Sequence, residues 1–343
     1  MRILIVSDAW HPQVNGVVTV LDELVTDLQA MGHMVEVVGP HQFATRPCPG
    51  YPQLALARPA RGEVARLLWG KSFDALHLAT EGPLGWAARK WAIKAKVPFT
   101  TAYHTRFPEV LKAAIGLPLW VSYAVFKRFH LPATRTLVPT RHVYDMLNRR
   151  GFANLALWTH GVDMTRFAFV EEVAQIKEFT CLKRPIALLV GRVSYEKNID
   201  AFLKMPWEGS KVVCGEGPLK TSLMQQHPDV TWLGVLPRDE LARVYGNADV
   251  FVFPGRHETF GLVMLEAMAT GTPVAAYPVD AAQEVMSCAD GFMPGGVLSD
   301  NLAVAANAAL KISRSLAWKH AQRFSLRAVS LGFLAHLAPL SRA

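Results

Sequence analysis

Short runs of apolar and β-branched residues alternate along this chain with longer stretches in which apolar positions recur at helical spacing. Ile3–Val6, Val35–Val38, Ala75–Leu78, Phe99–Ala102 and Thr136–Val138 have few polar breaks, as expected of parallel strands buried on both faces. Val17–Met31, stopped by Gly32, and Pro83–Lys94 carry the helical pattern between them. The alternation restarts after His160. Ile186–Val190, Lys211–Cys214, Val230–Leu233, Val250–Phe253 and Val274–Ala276 are the expected strands, with helices near 198–205, 218–226, 238–246, 261–270 and 300–313. Two such runs predict an α/β chain of two doubly wound, Rossmann-like domains, residues 1–160 and 161–317, joined near Trp158–Phe167. A last helical stretch, Trp318–Leu337 within residues 318–343, is expected to pack back across the joint. Open α/β sheets bind ligands beyond the carboxyl ends of their strands, so the cleft between two such sheets is the expected site.

The ends of the predicted strands carry the chemistry. Gly191-Arg192 closes one strand, and Glu196-Lys197-Asn198 opens the helix after it. Arg and Lys five positions apart at a strand end can place two cations on one anionic group. Gly215-Glu216-Gly217-Pro218 closes the next strand. Pro254-Gly255-Arg256-His257-Glu258-Thr259-Phe260-Gly261 then leads into a helix carrying Glu266. Gly261 and the first turn of that helix offer backbone N–H groups and a positive dipole end to a phosphate. Glu258 and Glu266 are eight apart, about 80° around a continuous helix at 3.6 residues per turn. Glu258 is therefore expected on the loop, free to contact a sugar, and Glu266 within the helix. Taken singly, Arg192 and Lys197 could be surface cations, and His104 a satisfied strand-end histidine. Asp163 reads as a cap at the joint, Glu81 and Gly82 as either a cap or a site feature, and His160 and His257 as structural.

In this order the motifs resemble the retaining glycosyltransferases of family 4, two-domain enzymes of the GT-B fold that transfer a sugar from a nucleotide diphosphate donor. Pro12-Gln13-Val14-Asn15-Gly16-Val17, Glu81-Gly82-Pro83, Tyr103-His104-Thr105 and His160-Gly161-Val162-Asp163 extend the similarity over nearly the whole chain. The resemblance implies that Arg192 and Lys197 bind the donor diphosphate, which Gly16 and the Gly191 and Gly215 turns let approach the backbone. It implies that Glu266 holds the ribose, Glu258 with Thr259, Phe260 and Gly261 the sugar, and that His104 lies near the reaction centre. Such enzymes are thought to use front-side displacement without a protein nucleophile. No D-x-D metal motif occurs, and two cations with a helix dipole can replace a metal, so neither metal nor further cofactor is expected. Two departures stand out: Gly255, where the family usually has Ser, bears on a phosphate or loop contact, and Tyr277-Pro278-Val279-Asp280, which replaces a common Gly-Gly pair, bears on the sugar.

Charge adds a partner to this picture. Residues 1–160 hold 18 Lys and Arg against 10 Asp and Glu, a net of +8, whereas residues 161–343 hold 18 against 18. Six of the eight charges come from Arg58–Lys71 and Arg106–His130, each +3, with aromatic residues interleaved. That mixture suits an anionic membrane surface, with Arg61, Arg66 and Lys71 as cations and Leu68 and Trp69 entering the interface. The alternative is a solvated face over core aromatics. No nucleic-acid module is readable. Lipid acceptors fit this reading, because the resemblance extends to phosphatidylinositol mannosyltransferases and diacylglycerol glycosyltransferases. GDP-mannose is the first choice of donor and a UDP-hexose the second; a soluble saccharide acceptor or a non-catalytic nucleotide-binding scaffold are the competing readings.

Composition excludes other classes. Of 343 residues, 51% are hydrophobic and 19% charged, which rules out a disordered, collagenous or coiled-coil chain. The four cysteines form no C-x-x-C pair, so a reducing cytosol is expected. MRILIVSDAW reads as a buried strand, not a signal peptide. Leu117–Phe126 has about half of the ~20 residues needed to span a bilayer. No G-x-G-x-x-G follows the first strand, which disfavours an oxidoreductase. The expected location is cytoplasmic and peripheral, on the inner face of a membrane.

Overall fold

The computed structural model describes residues 1–13, 15–48, 51–171, 175–256, 258–288 and 293–340. The chain forms two compact units: residues 1–160 with 326–343, and residues 161–325. The first contains β1 (Arg2–Val6), α1 (Gly16–Ala30), β2 (Met34–Val38), β3 (Thr45–Cys48), β4 (Tyr51–Ala57), α2 (Glu63–Trp69) and β5 (Ala75–Leu78). It continues through α3 (Pro83–Lys94), β6 (Thr100–Ala102), α4 (Phe107–Ile115), α5 (Leu119–His130), β7 (Arg135–Val138), α6 (Arg141–Arg149) and β8 (Leu155–Leu157). Among the described residues its main sheet is parallel, with strand order β2-β1-β5-β6-β7-β8.

The second unit contains β9 (Ala187–Val190), α7 (Ile199–Leu203), β10 (Lys211–Cys214), α8 (Lys220–Gln226), β11 (Thr231–Gly234), α9 (Arg238–Asn247) and β12 (Val250–Phe253). Then follow α10 (Leu262–Ala269), β13 (Val274–Ala276), α11 (Asp280–Met286), β14 (Gly296–Leu298), α12 (Leu302–Ala309) and α13 (Arg314–Ala321). Its sheet is parallel too, in the order β11-β10-β9-β12-β13-β14. The central strands of both sheets are buried on both faces, which is why most of them read as apolar runs, although His77, Thr100, Thr101 and Thr136 are buried polar positions in the first sheet. Leu188 and Phe251 enter one core; Ala187, Leu189, Val250 and Val252 enter the other.

The structure departs from the expected elements in two places. The expected single stretch Trp318–Leu337 is divided. α13 closes the second unit, and α14 (Leu326–His336) belongs to the first. There Arg327 pairs with Asp27 of α1 at 3.1 Å, and the Trp158 indole donates to the Val329 carbonyl at 3.0 Å. The break falls at Ser325, which is extended. Secondly, β3 and β4 form an antiparallel ladder off the main sheet. Pro47 and Pro52 disguised it, because proline is tolerated only where a strand needs few ladder donors. The apolar stretch after Phe107 forms two helices, separated by Gly116 in the left-handed region (φ +69°) and Pro118. Among the described residues no helix is long and apolar enough to cross a membrane.

Candidate functional site

In both sheets the strand order reverses once, between β1 and β5 in the first unit and between β9 and β12 in the second. Crossovers leave in opposite directions at such a point, so the loops beyond those two strands part and leave a crevice. The sequence places Gly16 and Glu81 at the first of these points and Arg192, Lys197 and Glu258 at the second, while His104 follows β6 and Gly215 follows β10.

In the second unit the loop after β9 carries Arg192 and Lys197, and the loop after β12 carries Glu258. They meet: Lys197 Nζ donates to Glu258 Oε1 in a partly exposed ion pair. Asn198, in the left-handed region (φ +53°), donates from Nδ2 to the Pro254 carbonyl at 3.0 Å, tying the same two loops. Glu258 is on the loop, as its spacing from Glu266 required. α10 begins at Leu262 after Gly261, itself left-handed (φ +86°), with no side-chain cap on its first turn. Thr259 is partly exposed and Phe260 is buried in the core beneath. The Arg256 guanidinium lies 3.7 Å from the centroid of the Tyr277 ring, so the Tyr that replaces a glycine supports a cation. His257 lies outside the described residues.

Glu266 is 4% exposed, and both oxygens are already bonded: Oε1 accepts from Arg238 and Oε2 from the Tyr245 hydroxyl, each at 3.0 Å. Any ribose hydroxyl it accepts shares those oxygens. The glycines separate into two kinds. At Gly191 and Gly16 an added Cβ meets nothing within 4 Å. At Gly215 it would strike the Gly191 carbonyl oxygen, and at Gly217 the Val193 carbonyl, so those two are demanded by packing between adjacent strand ends.

In the first unit the loop after β1 leads to Asn15, whose side chain accepts from Val17 N and Val18 N and caps α1 at Gly16; Val14 is outside the described residues. The loop after β5 is closed by Asp8, which sequence reasoning passed over. Its carboxylate accepts from Leu84 N at 2.8 Å, Gly85 N at 3.2 Å and Thr80 Oγ1 at 3.0 Å, filling the start of α3. Gly82 is glycine because a Cβ there would strike that carboxylate. Burial pushes Asp8 up to about 6. Glu81 pairs with buried His130 at 3.1 Å, so the Glu-Gly-Pro motif is spent on internal partners. His104 is 7% exposed and stacks on His160 with ring centroids 5.5 Å apart; desolvation holds His104 at about 4 and His160 well below its usual range. Both are neutral at pH 7. Asp163 Oδ1 caps the turn at Thr165 and Arg166, as its position suggested.

Residues 14–166 match the family described as Glycosyltransferase Family 4, and residues 184–314 that described as Glycosyl transferases group 1. A GDP-mannose-dependent alpha-mannosyltransferase of Mycobacterium tuberculosis is 31% identical over 80% of this chain and 79% of its own. The chain belongs to glycosyltransferase family 4. An alpha-monoglucosyldiacylglycerol synthase of Streptococcus pneumoniae is 29% identical over 81% of this chain and 71% of its own. In fold, this glycosyltransferase is similar to sucrose-phosphate synthase of Thermosynechococcus elongatus, with a TM-score of 0.74, 21% identity and 97% of each chain covered. It is a hexosyltransferase of the GT-B architecture.

The basic stretches of this glycosyltransferase divide differently from expectation. Leu68 is 1% exposed and belongs to the core against α3, so it has no route to a membrane interface. Lys71 pairs with Glu36. Arg61 and Arg66 are exposed, and Trp69 is 69% exposed, its ring edge-on to Trp91. In the second stretch Tyr123, Phe126 and Phe129 are core residues, whereas Trp120 is 77% exposed.

Proposed function

We propose that the chain transfers a hexosyl group, with retention and without a metal ion, from a nucleoside diphosphate sugar to a lipid acceptor on the inner face of a membrane. The observation that carries this is the pairing of Lys197 with Glu258 at the β9/β12 switch point, which ties the loop carrying Arg192 to the loop that leads into the uncapped start of α10. A diphosphate binding Lys197 competes with Glu258 for the ammonium. The exchange turns the carboxylate free for sugar hydroxyls as charge develops on the departing phosphate, which Arg192, Lys197 and the α10 dipole stabilise. Front-side displacement then asks the protein for positioning and electrostatics and no nucleophile. Glu266 is the ribose ligand in this reading, and Gly16 and His104 are the first unit's donor contacts. Among the described residues, no three His, Cys, Asp or Glu are grouped to hold a metal.

Similarity to GDP-mannose-dependent mannosyltransferases supports mannose as the donor sugar; the monoglucosyldiacylglycerol relative supports a lipid acceptor and favours a UDP-hexose as the second reading. Each Arg or Lys engaged at an anionic bilayer contributes about 1 kcal/mol, attenuated by salt, and Trp69 adds a salt-resistant part. The test is calorimetric titration with GDP, UDP and their nucleosides in excess chelator, then transfer from the matching sugar nucleotide to anionic and neutral vesicles. Tighter binding of one diphosphate, turnover in chelator and faster transfer on anionic vesicles are expected, with Arg61→Ser/Arg66→Ser abolishing the vesicle preference. Loss of turnover in chelator refutes metal independence. Transfer to a soluble saccharide with no vesicle preference refutes the lipid reading.

A further inference from the structure

Two residues after α11, Cys288 sits in a cluster outside the switch point. Crossover helices return the chain to the amino-terminal edge of a parallel sheet, so this cluster lies at the opposite edge from Arg192 and Glu258. His320 of α13 is 2% exposed, and its Nε2 is 2.7 Å from the Val285 carbonyl oxygen. A carbonyl only accepts, so Nε2 carries the hydrogen. Burial lowers the His320 pKa and favours the neutral ring. Nδ1 is then an unprotonated lone pair, and it faces Cys288 Sγ at 3.7 Å. The thiol donates to it. Arg323 Nη1 donates to the same sulfur at 3.0 Å and to the Ser287 carbonyl at 3.3 Å. The result is a nucleophile, a base in contact with it, and a backbone carbonyl that fixes the tautomer of the base, with a guanidinium to stabilise negative charge on sulfur.

Cys214 and Cys181 lack this arrangement. Cys214 is buried, its Sγ donates to the Gly234 carbonyl at 3.3 Å, and burial pushes its thiol up to about 11. Its partner keeps the proton on. Cys181 is exposed. Cys288 is partly exposed, so a small reagent reaches a sulfur whose proton has somewhere to go.

We propose that Cys288 is a modification site, a base-assisted thiol that reacts with hydrogen peroxide to give a sulfenic acid. His320 Nδ1 takes the thiol proton as a sulfur lone pair attacks one peroxide oxygen. The O–O bond breaks, and the departing hydroxide takes the proton back from His320 and leaves as water. Sulfur loses two electrons and peroxide gains them. Thiol and hydrogen peroxide become sulfenic acid and water.

The experiment exposes the whole chain to limiting hydrogen peroxide, traps sulfenic acid with a cyclic diketone, and quantifies each cysteine peptide by mass spectrometry. Cys288 should be labelled roughly tenfold or more faster than exposed Cys181, with Cys214 unlabelled. Arg323→Gln, at an exposed side chain, and His320→Gln should each bring Cys288 down to the rate of Cys181 and leave Cys181 unchanged. Should His320→Gln fail to fold by circular dichroism, Arg323→Gln alone decides. Labelling of wild-type Cys288 no faster than Cys181, or an unchanged Cys288 rate in Arg323→Gln, overturns the proposal.

Discussion

The two switch points share a topology and are filled in opposite ways. In the first unit the helix after the second switch strand, α3, has its start occupied by the chain's own carboxylate, Asp8, and the neighbouring acid is matched to His130. In the second unit the corresponding helix, α10, starts at a left-handed glycine with no side-chain cap, after the loop whose Glu258 pairs with Lys197; Arg192 is on the same loop as Lys197. An occupied helix start repels a phosphate, and an uncapped one beside cations attracts it. The difference supports the proposal that the second unit handles the anionic part of the donor. Net charge alone would point to the first half, where the whole excess of +8 resides. Local pairing decides otherwise.

The comparison breaks most visibly at Glu258. Glu258→Ala removes a partly exposed ion pair, which contributes at most about 1 kcal/mol to stability. It also removes the carboxylate proposed to grip the sugar, so turnover should fall ~10²-fold or more while the melting temperature barely moves. Steady-state kinetics beside thermal unfolding check this; near-normal kcat sinks the sugar role. Glycine replacement sharpens the contrast. Gly215→Ala drives a Cβ into the Gly191 carbonyl and should cost about 1–3 kcal/mol of stability. Gly16→Ala meets nothing within 4 Å, so it should leave stability intact and weaken only the donor. If Gly16→Ala destabilises as much as Gly215→Ala, the two kinds of glycine are one.

Arg192→Ala and Lys197→Ala should each weaken the nucleoside diphosphate roughly tenfold, as expected for loss of a charged hydrogen bond, and spare the nucleoside. Because both serve one diphosphate, the double variant should lose less than the product of the singles. Strictly multiplicative losses by calorimetry, or equal weakening of the nucleoside, would remove them from the phosphate site.

Strand positions were legible because parallel strands covered on both faces write uninterrupted apolar runs, and Lys211–Cys214 needs no tertiary knowledge; the helix Pro83–Lys94 was legible from its helical spacing and its opening proline. Gly261 and Glu258 were legible because a helix period separates loop from helix. Asp8 was not, since one acid after a strand says nothing until Gly82 is seen to leave it room. Leu68 was misassigned because a short basic helix needs its apolar face for the core before any remains for a membrane. The division at Ser325 was hidden because two consecutive helices with similar apolar spacing look like one until their partners are known.

The smallest expected effect concerns the neutral histidines of the first unit. Burial holds His77 at about 3 and His104 at about 4, and His160 well below the usual range, so the unfolded chain takes up protons there that the folded chain refuses. Stability is therefore present above about pH 6.5 and is lost as pH falls toward the folded values. Between pH 7 and 5.5 each such histidine costs about 1 kcal/mol. Asp8 acts in the opposite sense: its raised pKa of about 6 means the folded state binds the proton better, which adds about 1 kcal/mol over the same interval. The histidines outnumber it, so the net change is destabilising. Hydrogen exchange resolved along the chain should show residues 1–160 losing protection on acidification more than residues 161–325, where His320 is the one described histidine with a lowered pKa. His104→Phe should flatten that dependence by about one histidine's share. Equal acid sensitivity in both units, or an unchanged slope in His104→Phe, would show that the first unit does not bury its histidines neutral.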